Sequence, residues 1–400
     1  FADDDDRHRS TPRAMLNVPP ITSVVANQEW VLRLRDGSIQ WWGYGNRIAQ
    51  LKAVIPPSAP PSYAQPVRLA NYGRDFCALN HRRRLACWGD NRTGLLGLGP
   101  VYRAQPMQVP NLPPAQTVAS GYSHSCALLR DGSVRCWGEN DEGQRNDGAG
   151  HDYSQPPTLV PGLSRIKALR AEAALTCVLR QDQTGTCWGQ SSGWPDVWPS
   201  NALGDRRWGD VAVGNDLICA LDLDDHVHCA GINLRGGLGD GTRQTRVIMQ
   251  PVSNLGAAAS LELGSVHACA RDAEGLVWCW GMNRYGGCGT VPLGDINEDV
   301  VSPPQRVEGL GVTKALSAGV YQTCVINPLD QVVCWGVDTW LGIEQSDENP
   351  NNSQRLPVQG LEGRPVAIEA FQKTVCVIMA EGSVAEVQEN EEVKEAYLGR

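Results

Sequence analysis

Three groupings in this chain of 400 residues have the side-chain types and spacing that chemistry uses. His124 is flanked by Ser123 and Ser125, and His267 likewise stands two residues before a cysteine. A serine beside an imidazole is the raw material of nucleophilic catalysis, but no Gly-x-Ser-x-Gly elbow supports an acyl-transfer site here. His226 and His228 are two apart on a predicted strand, so they face one side and could hold a metal that found a third ligand. Asp295, Asn297 and Asp299 reproduce the first three ligand positions of a calcium loop. Val300 replaces the glycine that such a loop needs, and Arg306 stands where its bidentate glutamate should be. An ordinary acidic loop accounts for these residues, and no catalytic residue, cofactor or metal is expected, with calcium at Asp295, Asn297 and Asp299 as the alternative.

The cysteines carry the strongest signal. Of fourteen, twelve fall in pairs ten residues apart: Cys77/Cys87, Cys126/Cys136, Cys177/Cys187, Cys219/Cys229, Cys269/Cys279 and Cys324/Cys334. The segment CALLRDGSVRCWG, from Cys126 to Gly138, describes a tight hairpin with a loop at Arg130, Asp131 and Gly132. With Gly132 left-handed, Leu129 pairs with Ser133 and Cys126 therefore faces Cys136, so each pair is expected to be a cross-strand disulfide. Zinc would want Cys-x-x-Cys knuckles, and none is present. Paired cysteines on this scale belong to an oxidising compartment, which predicts an exported protein: extracellular, periplasmic or on a cell surface. Cys288 and Cys376 lack a partner at this spacing, and could pair with each other, bond another chain or stay free.

The elements that position these residues are repeated hairpins. Unit one is residues 30–43 (WVLRLRDGSIQWWG), with Val31 and Trp41 where later units place cysteines; unit eight, residues 375–387, has Glu386 in place of the second cysteine. Eight hairpins recur at roughly fifty-residue intervals, the spacing of propeller blades. The 43 Gly, 26 Pro and 13 Trp suit many short strands and irregular loops. Residues 11–18 (TPRAMLNV) resemble the pre-hairpin strands at 104–109 and 64–69 and look like a strand without its blade. The expected domains are an acidic extension over 1–10, one repeat domain over 11–388 and a tail over 389–400 that has helical character. Trp42, Trp88, Trp137, Trp188, Trp280 and Trp335 recur too regularly for a ligand cage and read as packing residues. Trp194, Trp198 and Trp208 break the repeat and are candidate partner-binding anchors, with local packing of a long loop as the alternative.

The formal charge of -9 comes with Lys and Arg interspersed among the acids, which argues against nucleic acid. No stretch of eighteen apolar residues is present, so no membrane-spanning segment is expected. The polar start FADDDDRHRS is no signal peptide and fits an already processed chain. Asn91-Arg92-Thr93 and Asn351-Asn352-Ser353 are glycosylation sequons.

The chain resembles the regulator-of-chromosome-condensation repeat family in Gly121-Tyr122-Ser123-His124-Ser125, Trp137-Gly138-Glu139-Asn140 and the glycine-rich exit from Gly237 to Thr242. The resemblance recurs over about residues 11–388. It implies an all-β fold, a β-propeller of four-stranded blades normally numbering seven; the hairpins count eight, with residues 11–18 expected to close the ring. It also implies that His124 and His267 tie one blade to the next. Members serve as nucleotide exchange factors, chromatin binders and secreted inhibitors or surface components. The expectation is a non-enzymatic exported protein-interaction or structural module, an accessory subunit of an extracellular or cell-envelope assembly. The alternatives are a soluble binder or inhibitor of an enzyme or glycan, and a hydrolase or lyase in the propeller channel. The expected partners are proteins, with no nucleic acid and no membrane span.

Overall fold

The computed structural model describes residues 13–14, 21–26, 30–34, 39–42, 66–72, 75–80, 82–89, 91–97, 103–148, 155–189, 202–215, 217–289, 300–336, 356–358, 361, 363–371, 374–380 and 384–387. Every regular element among them is a strand. The chain divides into two compact units, Asn27–Leu223 with Val247–Met249, and Phe1–Ala26 with Asp224–Arg246 and Gln250–Arg400. The expected helical tail at 389–400 and the acidic extension at 1–10 lie outside the described residues.

In the unit Asn27–Leu223, four strands form one antiparallel sheet: Pro66–Tyr72, Asp75–Asn80, Leu85–Gly89 and Arg103–Gln108. The next consists of Ala115–Ser120, His124–Leu129, Val134–Gly138 and Thr158–Leu159. Ile166–Glu172, Leu175–Arg180 and Gly185–Trp188 make a third sheet, followed by the pair Asp210–Val213 and Leu217–Leu221. The other unit holds Ala258–Leu263 with His267–Asp272, Val277–Met282 and Val300–Arg306, then Ala315–Ala318 with Thr323–Ile326, Val332–Trp335 and Leu356–Pro357. Its last sheet joins Pro365–Phe371, Thr374–Met379 and Val384–Val387 to Arg13–Ala14. Arg13 pairs with Glu386 and Ala14 with Ala385.

The pre-hairpin reading of residues 64–69 and 104–109 needs correction. Pro66–Tyr72 does precede and pair with its own hairpin, but Arg103–Gln108 pairs back onto Leu85–Gly89 as the outer strand of the preceding sheet. A short alternating run carries no mark of which sheet edge it will find, so the two segments look alike in sequence.

The hairpin register is set by one recurring backbone. Leu129 N–H donates to Ser133 O, Gly132 N–H donates to Leu129 O, and Cys126 stands opposite Cys136. The residue six after the first cysteine is left-handed in all six cysteine hairpins: Arg83, Gly132, Gln183, Asp225, Gly275 and Asp330, with φ between 59° and 82°. Only two of the six are glycine, so the register outweighs the side-chain strain of that conformation. Cys77–Cys87, Cys126–Cys136, Cys177–Cys187, Cys269–Cys279 and Cys324–Cys334 are each bonded across a Cα separation of 4.1 Å. Cys219 and Cys229 are also disulfide-bonded.

The cystines belong to the core between consecutive sheets. Cys126 and Cys136 pack with Val134 and Val160 against Ile166, Leu169, Val178 and Trp188 of the following sheet. Trp137, one residue on and therefore on the opposite face, packs back among Leu79, Leu85, Leu96 and Val109 of the preceding sheet. The Cys-Trp dipeptide thus seals both sides of its strand. Cys279 and Trp335 meet in the same way in the other unit. Each apolar side chain buried in these layers contributes roughly 1.5–3 kcal/mol.

Candidate functional site

The motifs that recur from repeat to repeat are spent on joining neighbouring sheets. The indole N–H groups of Trp137, Trp188, Trp280 and Trp335 donate to the carbonyls of Leu95, Gln144, Gly237 and Gly287, at 2.7 to 2.8 Å. Those acceptors lie in the turn after the preceding hairpin. In four repeats that turn is built by an asparagine two residues past the glycine that ends the hairpin, Gly89, Gly138, Gly231 or Gly281. Asn91, Asn140, Asn233 and Asn283 accept the N–H of Leu96, Arg145, Leu238 and Cys288 on their Oδ1 atoms at 2.8 to 3.0 Å. The glycine of Trp-Gly has no room for a side chain: a Cβ at Gly138 would meet Ser123 O at 2.5 Å, and one at Gly336 would meet Tyr321 O at 2.3 Å. Their φ values of 97° and 117° are glycine territory as well.

His124 and His267 are fully buried and belong to this joinery. His124 Nε2 lies 2.7 Å from Thr176 Oγ1, and His267 Nε2 lies 2.7 Å from Thr323 Oγ1, each threonine being in the following sheet. Thr323 Oγ1 donates to Gly287 O at 2.8 Å, so its hydroxyl proton is used and His267 must donate from Nε2. Both Nδ1 atoms are buried without a partner among the described residues. Burial alone lowers both histidines to a pKa of about 4. Ser125 is engaged elsewhere, its hydroxyl donating to Leu95 O at 3.3 Å with Ser120 Oγ at 3.0 Å. A neutral, enclosed imidazole bonded to threonine is a structural strut, with no access for a substrate.

The remaining candidates scatter. His228 is buried inside the strand Val227–Gly231, whereas His226 precedes that strand and is exposed, so the two do not share a face as a metal pair would. The calcium-loop residues Asp295, Asn297 and Asp299 lie outside the described residues, as do Trp194 and Trp198. Trp208 is described, and the anchor reading fails for it. It is 0 % exposed, with its indole donating to Leu203 O at 3.0 Å and its backbone N–H to Gln183 O, so it packs its own loop. Asn91 of the first sequon is also 0 % exposed, its side chain consumed by the turn, which removes it as a glycosylation site in the folded protein. Cys288 is free and buried, and burial pushes its thiol up, away from reactive thiolate. It fills the slot that Leu96, Arg145 and Leu238 fill in other repeats.

One feature was invisible in sequence order. Along the hairpin turns of the unit Asn27–Leu223, backbone hydrogen bonds stitch each turn to the start of the next sheet, and arginines crowd the seam. Ala115 N–H donates to Arg83 O, Arg130 N–H to Pro114 O, Ile166 N–H to Gly132 O, Gln181 N–H to Arg165 O and Trp208 N–H to Gln183 O.

The comparisons with known proteins agree with this construction. Two family models described as the regulator of chromosome condensation (RCC1) repeat match residues 116–144 and 259–286, and residues 84–128 and 274–326. The chain carries regulator-of-chromosome-condensation repeats. Its antiparallel sheets are the blades of a β-propeller, the fold of Prp20p from Saccharomyces cerevisiae. That structure is similar with a TM-score of 0.60 at 17 % identity, over 86 % of this chain and 87 % of that one. Among curated relatives, the ultraviolet-B receptor UVR8 of Arabidopsis thaliana is 26 % identical over 306 residues, 70 % of this repeat protein and 67 % of the receptor. The probable E3 ubiquitin-protein ligase HERC6 of Homo sapiens is 28 % identical over 281 residues, 64 % of this repeat protein but 27 % of the ligase. The chain therefore spans about a quarter of that ligase. A further model, described as a branched-chain amino acid ATP-binding cassette transporter, matches residues 377–400, most of them outside the described residues. No helix among the described residues is long and apolar enough to cross a membrane.

Proposed function

We propose that this repeat protein is a non-enzymatic, exported interaction module, working as an accessory subunit of an extracellular or cell-envelope assembly. The observation that carries the proposal is the placement of its cystines. Five bonded pairs occupy equivalent core positions between strands at a Cα separation of 4.1 Å, and such a set persists only where thiols are kept oxidised. The repeat motifs that invite a catalytic reading are bound up in joints between blades, which leaves turns and loops to meet a partner. Relatives support a protein partner: the Prp20p structure is described with its binding to Gsp1p and histones. The compartment makes a different partner the expectation here.

The test is intact mass with and without reduction, on protein isolated from its native source with bound chains retained. A mass gain of two protons for each of the bonded pairs, together with co-purifying polypeptides, supports the exported subunit. Free thiols would return the protein to a reducing compartment. Oxidised thiols on a lone monomer would favour the soluble binder.

A further inference from the structure

We propose that the stitched turns of the unit Asn27–Leu223 form an anion-reading arc that binds an acidic segment of a partner polypeptide. The inference deepens the interaction-module reading and rests on it. Six arginines, Arg82, Arg84, Arg130, Arg165, Arg180 and Arg207, stand on or beside successive hairpin turns, five of them exposed and Arg180 half-buried. None of the six guanidinium groups is held by a hydrogen bond or ion pair among the described residues. Other cations nearby are committed: Arg83 Nη1 donates to Gln116 O, and Arg170 pairs with Asp210. The backbone bonds from Arg83 through Gln183 to Trp208 make the turns one continuous seam, so the arginines are held along one edge and not scattered over it.

In a chain of net charge -9 a run of exposed guanidinium groups is a local reversal of sign, and among the described residues only Arg165 and Arg180 of the six have a carboxylate, Asp182, acting on them through space. Guanidinium forks match carboxylate pairs in a bidentate geometry that lysine lacks. Exposed Asp205 stands beside Arg207, and two further acids interrupt the arc and decide between kinds of anion. Asp131 accepts Ser133 N–H at 2.9 Å and Ser133 Oγ–H at 2.6 Å, and Asp182 accepts Thr184 N–H at 3.0 Å and Oγ1–H at 2.7 Å. Both are held in place as turn caps, and stay ionised between the arginines. A polymer with a charge at every step would meet these two carboxylates head on. A polypeptide carries its carboxylates at intervals on flexible stems and can straddle them.

The experiment uses the whole chain and a fluorescein-labelled peptide of alternating glutamate and serine, with fluorescence anisotropy read at about 50 mM and about 300 mM salt. The comparison protein carries Arg84→Gln, Arg130→Gln and Arg180→Gln, three positions without left-handed backbone, and its fold is checked by circular dichroism and thermal midpoint. The arc predicts peptide binding at low salt that weakens at high salt and falls about tenfold or more in the triple variant. Absence of peptide binding at low salt, or equal affinity in a folded triple variant, overturns it. Binding of heparin or single-stranded DNA without the peptide also overturns it, in favour of a polyanion. Co-purification of a native partner that the triple variant retains would sink the arc alone and leave the interaction-module reading standing.

Discussion

Cys376 stands directly opposite Glu386 in the last hairpin, the register at which the other cysteine hairpins are cross-linked. The relationship is that of Cys126 to Cys136 with one sulfur replaced by a carboxylate. Glu386→Cys is therefore expected to form one further disulfide spontaneously in air, read as a loss of two protons in intact mass. The added cross-link should raise stability by roughly 2 kcal/mol, as its loop is as short as the others. A persistent free thiol in the oxidised variant would show that this register is not held in solution.

The histidine struts predict acid sensitivity. Unfolded histidine has a pKa near 6.5, and His124 and His267 fall to about 4 in the fold. Between those values the unfolded chain binds protons that the folded chain refuses. The contribution is thus complete above pH 6.5 and is lost as pH falls toward 4. Gln322 already occupies the equivalent place, two residues before Cys324, and Gly319 N–H donates to its carbonyl just as Gly264 N–H donates to that of His267. The double variant His124→Gln/His267→Gln should be less stable at pH 8 by about 1 kcal/mol per lost bond. Its denaturant midpoint should then change less between pH 7 and pH 5 than that of the parent. An unchanged slope with pH would remove the histidines as the cause.

Glu172 titrates with the opposite sign. Burial raises its pKa to about 7, against a small lowering by the Ala173 backbone. Below pH 4.5 both states are protonated; as pH rises toward 7 the unfolded chain ionises first and stability is lost. Glu172→Gln should match the parent at pH 4 and exceed it at pH 8 in thermal midpoint. Equal midpoints at both values would mean that the carboxyl reaches water.

The left-handed turn position offers a stability test with two directions. Gln183 adopts φ 73° and Gly132 φ 81° at equivalent places. Gln183→Gly is expected to stabilise by about 1 kcal/mol by relieving its side-chain strain, less the chain entropy that glycine adds. Gly132→Ala should destabilise by at least that amount, since its Cβ would also meet Arg165 Cα at 3.0 Å. Urea midpoints of both variants check this, and a shift of the same sign in both would contradict it.

Arg13 and Ala14 pair with Glu386 and Ala385, so removing residues 1–18 exposes the edge of Val384–Val387. The truncated chain should lose thermal stability and self-associate through that edge in light scattering. An unchanged midpoint and a monodisperse sample would mean that the last blade does not depend on the N-terminal strand.

Much of the fold could be read from local spacing, because hairpins are local objects. Ten residues between cysteines and a turn of known length leave one antiparallel register, and Cys126 opposite Cys136 follows from it. The recurring Trp-Gly and Gly-x-x-His motifs announced a repeat whose units share cores. What spacing could not supply was any relation between one hairpin and the next. It did not say that Arg103–Gln108 would pair backward, because an exposed strand edge is satisfied by whichever partner the chain path brings to it. It left Trp208 open as an anchor, since burial depends on the surrounding loop and not on the tryptophan. It also read arginine as evenly mixed with acid, an average along the chain. Only the tertiary structure stitched turn to turn, set Arg84, Arg130, Arg165 and Arg180 along one edge and turned Asp131 and Asp182 to their own backbones. Charge acts through space, and the sequence orders residues along a line.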